Sequence, residues 1–228
     1  MSEFFTGITF PMQKVTPSDD AAIRRAVLAD SILSGCEINY AGSTLTMGSG
    51  LLIGCGRQFR HTAAQNFAVT GAASGYARLV IIIDTTKAST KENFAQIDAA
   101  IEYATALDGF VQLRQDDVNE SGTVYQFPVC VVSLGAGGIT GIVAKLGGND
   151  VQINLPASGW AGNQQTVMIL GISADYSVIV AADETDADNA EAYSDAGVHP
   201  IRKTNGTLTF ACSDVPSRDL TVNVALRA

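Results

Sequence analysis

The sequence predicts a mainly β protein built from two β-sandwich-like domains with one short N-terminal helix. Three observations carry that reading. Leu220, Val222, Val224 and Leu226 alternate with Thr221, Asn223, Ala225 and Arg227, the period of a half-buried strand. Twenty-two glycines are spread along the 228 residues without a triplet period, so they mark turns and exclude a collagen repeat. The chain is 46% apolar and 16% charged, enough apolar mass for packed cores and too much for a disordered chain.

The helix opens the chain's first regular stretch. Thr16-Pro17-Ser18-Asp19 offers a capping hydroxyl, a proline for the first turn and acids against the helix dipole. Ile23, Ala26 and Val27 then share a face, and the spacing extends the helix to about Leu33. Strands follow at 36–40 and 44–47, separated by Ala41-Gly42-Ser43, and at 51–53, 58–61 and 78–84. In 90–104, Phe94, Ile97 and Ile101 fit a helix, while Ile97, Ala99, Ile101 and Tyr103 fit a strand. The strand is preferred because its flanks are strands and Tyr and Ile favour sheets. Tyr125, Phe127, Val129 and Val131 alternate, and Pro128 inside that run predicts an edge or a bulge.

Gly147-Gly148-Asn149-Asp150 sets the predicted boundary between an attachment domain, 1–148, and a small sandwich, 149–228. In the second unit, 166–172 and 177–181 are apolar on both faces and so predicted to be central strands. The stretch 181–196 is an acidic loop or short helix. Leu208, Phe210 and Cys212 alternate after Asn205-Gly206, a hairpin turn that pairs them with the segment from Ile201. A unit of roughly 75 residues is near the lower comfortable size for one core.

Net charge is −9. Residues 1–148 carry 10 basic and 13 acidic residues, and 149–228 carry 4 and 10, so most of the negative charge falls on the smaller unit. Such a chain repels phosphate backbones, which argues against nucleic acid as a partner. No apolar run approaches the ~20 residues of a membrane span, and Met1-Ser2-Glu3-Phe4-Phe5 lacks the basic start of a secretion signal. The expectation is a protein made in the cytoplasm that inserts in no membrane. Cys36, Cys55, Cys130 and Cys212 lie far apart in apolar or glycine-rich contexts and read as buried hydrophobes.

Catalytic signals are sparse. His61 and His199 are the only histidines, and neither adjoins a nucleophile motif. Gly48-Ser49-Gly50, Gly54-Cys55-Gly56 and Gly135-Ala136-Gly137-Gly138 are followed by strand-like residues, not by the helix a dinucleotide or phosphate loop needs. Asp116-Asp117 reads as a turn rather than a glycosidase pair. The acids of 183–191 read as a solvated loop, lacking the glycine of an EF-hand. The expectation is therefore a non-enzyme with no catalytic residues, no metal and no cofactor. Phe4, Phe5 and Phe10 form an apolar arm suited to anchoring a partner subunit. Trp160, Tyr176 and Tyr193 are candidates for ligand or domain contact.

A succession of segments carries a resemblance: Phe4-Phe5-Thr6-Gly7-Ile8-Thr9-Phe10-Pro11, Val15-Thr16-Pro17-Ser18-Asp19-Asp20, Gly35-Cys36-Glu37-Ile38, Leu52-Ile53-Gly54-Cys55-Gly56-Arg57, 113–119 and Gly122-Thr123-Val124-Tyr125. Over about residues 4–147 it resembles the N-terminal domain of baseplate and tail-fibre-type structural proteins of tailed phages and prophages of Firmicutes, of the upper-baseplate kind. Segments 205–210, Val215-Pro216 and 219–224 are similar to terminal β-domains of the same proteins. The resemblance implies a virion tail or baseplate protein without catalytic residues. It would be a homo-oligomer, with a trimer favoured, attaching through its N-terminal domain and presenting its C-terminal domain to another virion protein or the host. The chain lacks the heptads and collagen-like repeats of long fibres, which favours a compact adaptor. The alternative is a host-recognition module for a surface glycan, using Trp160, Tyr176, Tyr193 and the 183–191 loop.

Overall fold

The computed structural model describes residues 16–70, 74–90, 95–147, 150–172 and 174–227. The Phe4, Phe5 and Phe10 arm lies outside the described residues. The fold is mainly β, with several antiparallel sheets and two short α-helices among the described residues. The predicted class stands.

Helix α1 spans Pro17–Arg25. Thr16 caps it: its hydroxyl accepts from the Asp19 amide while the Asp19 carboxylate accepts from the Thr16 amide at 2.8 Å. Those bonds from Thr16 hold the Asp19 carboxyl below its ordinary pKa. The helix ends at Arg25, well short of Leu33. Its buried residue is Ala21, packed on the Gly56 turn, while Ile23 and Val27 are 54% and 61% exposed. Residues beyond the helix instead form a strand, because Ser31–Gly35 finds a ladder partner in the later strand Gly50–Gly54.

Among the described residues, the first unit holds ten strands: β1 (Ser31–Gly35), β2 (Ile38–Ala41), β3 (Thr44–Met47), β4 (Gly50–Gly54), β5 (Arg57–His61), β6 (Gln65–Ala68), β7 (Gly75–Asp84), β8 (Ile97–Ala104), β9 (Val124–Gly135) and β10 (Gly138–Lys145). They pair in the orders β1-β4-β5, β2-β3-β6 and β10-β9-β7-β8. The ambiguous 90–104 stretch is thus strand from Ile97 onward. Pro128 sits at a bulge: Leu79 faces Cys130 and Val80 faces Pro128, leaving Val129 as the extra residue. Phe127 is fully buried at the centre, and a Cβ on Gly54 would lie 2.4 Å from its ring, so only glycine fits opposite it.

The second unit holds β11 (Asp150–Leu155), β12 (Gln164–Met168), β13 (Ser177–Ala182), helix α2 (Ala187–Asp195), β14 (His199–Thr204), β15 (Thr207–Ala211) and β16 (Leu220–Arg227). Two three-stranded sheets, β11-β16-β13 and β12-β15-β14, share a core of Leu155, Leu208, Phe210, Leu220, Val222, Val224 and Leu226. The Asn205-Gly206 hairpin forms as predicted. The strands predicted to be central, β12 and β13, lie at sheet edges, and β15 and β16 are central instead. The apolar appearance of β12 has another cause. Val167 packs on this core while Met168 packs on the first unit's core.

That exchange runs both ways. Ala29, from the first unit, is buried in the second core; Leu170, from the second, is buried in the first. The Ile32 amide donates to the Gly147 carbonyl at 2.9 Å, tying β1 to the end of β10 at the joint.

Replacing Phe127 with alanine removes the largest buried ring beside Gly54 and leaves a void. The expected loss is about 3–5 kcal/mol in chemical denaturation; a loss under ~1 kcal/mol would contradict this packing.

Candidate functional site

Between the two cores lies a cleft of about 670 Å³. Its floor is Asp30 with Tyr125 and Pro128. One wall is the 105–115 loop, and the other is the pair of turns at 170–172 and 205–207. Each part is held by main-chain geometry. The Gly206 amide donates to the Ile172 carbonyl at 3.1 Å, and the Ile169 amide to Gly206 at 2.9 Å, locking the second wall. Gly171 has φ +83° and approaches so closely that a Cβ would lie 2.8 Å from the Asp30 carbonyl oxygen. The first wall is held by Arg78, which is 9% exposed. Its Nε donates to Glu102 at 2.6 Å, its Nη2 donates to the Val111 carbonyl, and its guanidinium lies 4.6 Å over the Phe110 ring.

Asp30 is the most unusual group. It is 8% exposed. The Tyr125 hydroxyl donates to one carboxyl oxygen at 2.7 Å, and the Cys55 amide donates to the other at 2.9 Å. Cys55 reaches that position with φ +49° in the β4–β5 turn, and the Asn119 side chain holds its carbonyl at 2.7 Å. Burial pushes the Asp30 carboxyl above its ordinary pKa, outweighing the two hydrogen bonds and the attraction of Arg25. The same burial, with the Asp30 charge, raises the Tyr125 hydroxyl and pushes Tyr176 up to about 12. Arg25 itself pairs with Asp117, anchoring the end of α1 to the 116–119 turn.

The sequence-predicted residues fall in different places. Trp160, Tyr176 and Tyr193 are half-buried and pack on the second core, and Tyr176 also lines the cleft. His61 Nδ1 engages the Gly48 carbonyl at 2.8 Å, and His199 Nδ1 the Gly197 carbonyl at 2.9 Å. Asp116 and Asp117 are turn residues: the first accepts from Arg114 at 2.8 Å, the second from the Asn119 amide at 3.0 Å. In the acidic stretch, Asp186 caps α2 and pairs with Arg218 at 2.9 Å. Among the described residues, no group of three or more His, Cys, Asp or Glu is placed to hold a metal ion. All four cysteines are buried free thiols. Asp30, Arg78 and the 105–115 loop were not singled out from the sequence. The available signal was one acid inside the otherwise small and apolar run Leu28-Ala29-Asp30-Ser31-Ile32.

No family model and no curated protein matches the chain.

A folded-state pKa above the unfolded one means that Asp30 favours the folded state below about pH 3.8 and that this contribution is lost as pH rises through the folded value. Asp30→Asn cannot ionise and can keep both contacts, its Oδ1 accepting from the Cys55 amide and its Nδ2 donating to the Tyr125 hydroxyl. Asp30→Asn is therefore expected to lie close to wild type in stability at pH 4 and to exceed it by a growing margin towards pH 8. Denaturant midpoints of both proteins across that range check this, and a constant gap would refute it.

Proposed function

We propose that the chain is a non-enzymatic structural component of a phage tail tip or baseplate. It acts as an oligomeric adaptor, attaching through its N-terminal unit and presenting its C-terminal unit to another virion protein or to the host. The observation that carries this reading is the apolar side chains exposed on α1, on the turn after it and on β1. Ile23 in α1, Val27 just past its end and Leu33 in β1 are exposed by 54%, 61% and 42%. They adjoin, in sequence, the apolar arm of Phe4, Phe5 and Phe10. Apolar surface of that kind marks protein contact rather than chemistry. The interlocked cores support the same reading, since an adaptor must transmit position from one end to the other without a loose joint. The resemblance to baseplate and tail-fibre-type proteins supplies the virion setting.

Size-exclusion chromatography with light scattering tests it. The expected result is an oligomer, with a trimer favoured. Ile23→Asp with Val27→Asp is expected to lower the mass while leaving the thermal midpoint within a few degrees, because both side chains are exposed in the protomer. A strictly monomeric wild type at high concentration would overturn the reading.

A further inference from the structure

We infer that the cleft between the two cores binds a small organic cation, a primary ammonium on a hydrocarbon body, with the ammonium at Asp30. This is independent of the adaptor reading. The cleft's volume of about 670 Å³ lies in the range of small-molecule sites, and its walls come from separate units, a common setting for such sites.

The hydrogen-bonding capacity left at the floor selects the head group. An ionised carboxylate accepts at about four positions. Asp30 receives one bond at each oxygen, from Tyr125 at 2.7 Å and from the Cys55 amide at 2.9 Å, so about two positions stay open. The Tyr125 proton is spent on Asp30, which leaves its hydroxyl oxygen as an acceptor. The Tyr176 hydroxyl lines the same cleft and makes no hydrogen bond to a described residue. The strong donors nearby are engaged elsewhere: Arg25 pairs with Asp117, and Arg78 bonds to Glu102 and to the Val111 carbonyl. The floor lacks a donor, and an ammonium supplies three.

Charge points the same way. Asp30, Asp108 and Asp175 line the cleft. Among the described residues its cationic side chains are Arg25 and Arg78, each matched by an acid outside the lining, Asp117 and Glu102. The surplus is negative, which draws a cation and repels a carboxylate. Burial favours the uncharged form of Asp30, and an ammonium beside it supplies the opposite charge that favours ionisation. The walls select the body. Leu28 and Leu113 on one side, Met168 and Leu170 on the other, are half-buried or buried at the border of the cleft. A hydrocarbon chain laid between them buries apolar surface on both units.

Amide NMR of the full chain with probes of one length tests this: hexylammonium, hexanol and hexanoate at equal ionic strength. Hexylammonium is expected to move the Cys55, Gly171 and Gly206 amide signals to saturation. Hexanol is expected to bind at least about ten-fold more weakly, and hexanoate more weakly still. Asp30→Asn can keep both native contacts but not the charge. It is expected to weaken hexylammonium at least about ten-fold and to leave hexanol unchanged. Tyr176→Phe, which removes only the hydroxyl, is expected to weaken hexylammonium about two- to ten-fold. Equal binding of the probes, tightest binding of hexanoate, or absence of a saturable shift would overturn the inference. So would an Asp30→Asn protein that binds hexylammonium as wild type does, or that loses hexanol and hexylammonium alike.

Discussion

A carboxyl group buried where two β cores meet is the constraint on which the rest of the structure depends. Asp30 lies between Ala29, which packs in the second core, and Ile32, which packs against the first. Burying a carboxylate is costly unless it is hydrogen-bonded, so the chain must hold Tyr125 and Cys55 in place around it. Tyr125 stands at the start of β9, the strand that also carries Phe127 and the Val129 bulge. Cys55 stands at the β4–β5 turn, against which α1 packs. One polar group thus fixes the relative positions of the helix, the turn and the central strand.

The second unit is placed by the same locus. Gly171 comes into contact with the Asp30 carbonyl, and Leu170 enters the first core beside it. The cleft is the space that remains between this contact and the Arg78-held loop. Its walls belong to different units, so a molecule bound there would contact both. That geometry is compatible with the adaptor proposed above, in which the two units are held in one register.

Much of the fold was legible. Period-two runs placed β15, β16 and the first half of β9, Asn205-Gly206 placed a hairpin, and Pro128 announced an edge or a bulge, because each is set by neighbours close in sequence. The helix end was not legible. Ile23 and Val27 mimic a buried face, whereas the chain turns into β1 because β4, about twenty residues later, pairs with it. Edge and centre were exchanged in the second unit for a related reason. Met168 finds a second core, and Ile179 is apolar yet 62% exposed, so both β12 and β13 look two-faced. The cleft was invisible because its parts come from separate loops. Asp30 meets Cys55 and Tyr125 across 25 and 95 residues, and no local pattern encodes such a meeting.

Native-state hydrogen exchange with rising denaturant tests the interlocked joint most directly. The interior amides of β7 and β9 report the first core, and those of β15 and β16 the second. If Asp30, Ala29 and Leu170 bind the cores into one cooperative unit, both sets converge on a single unfolding free energy and a single denaturant slope. Two separate isotherms, with the second core opening while the first stays protected, would contradict the account.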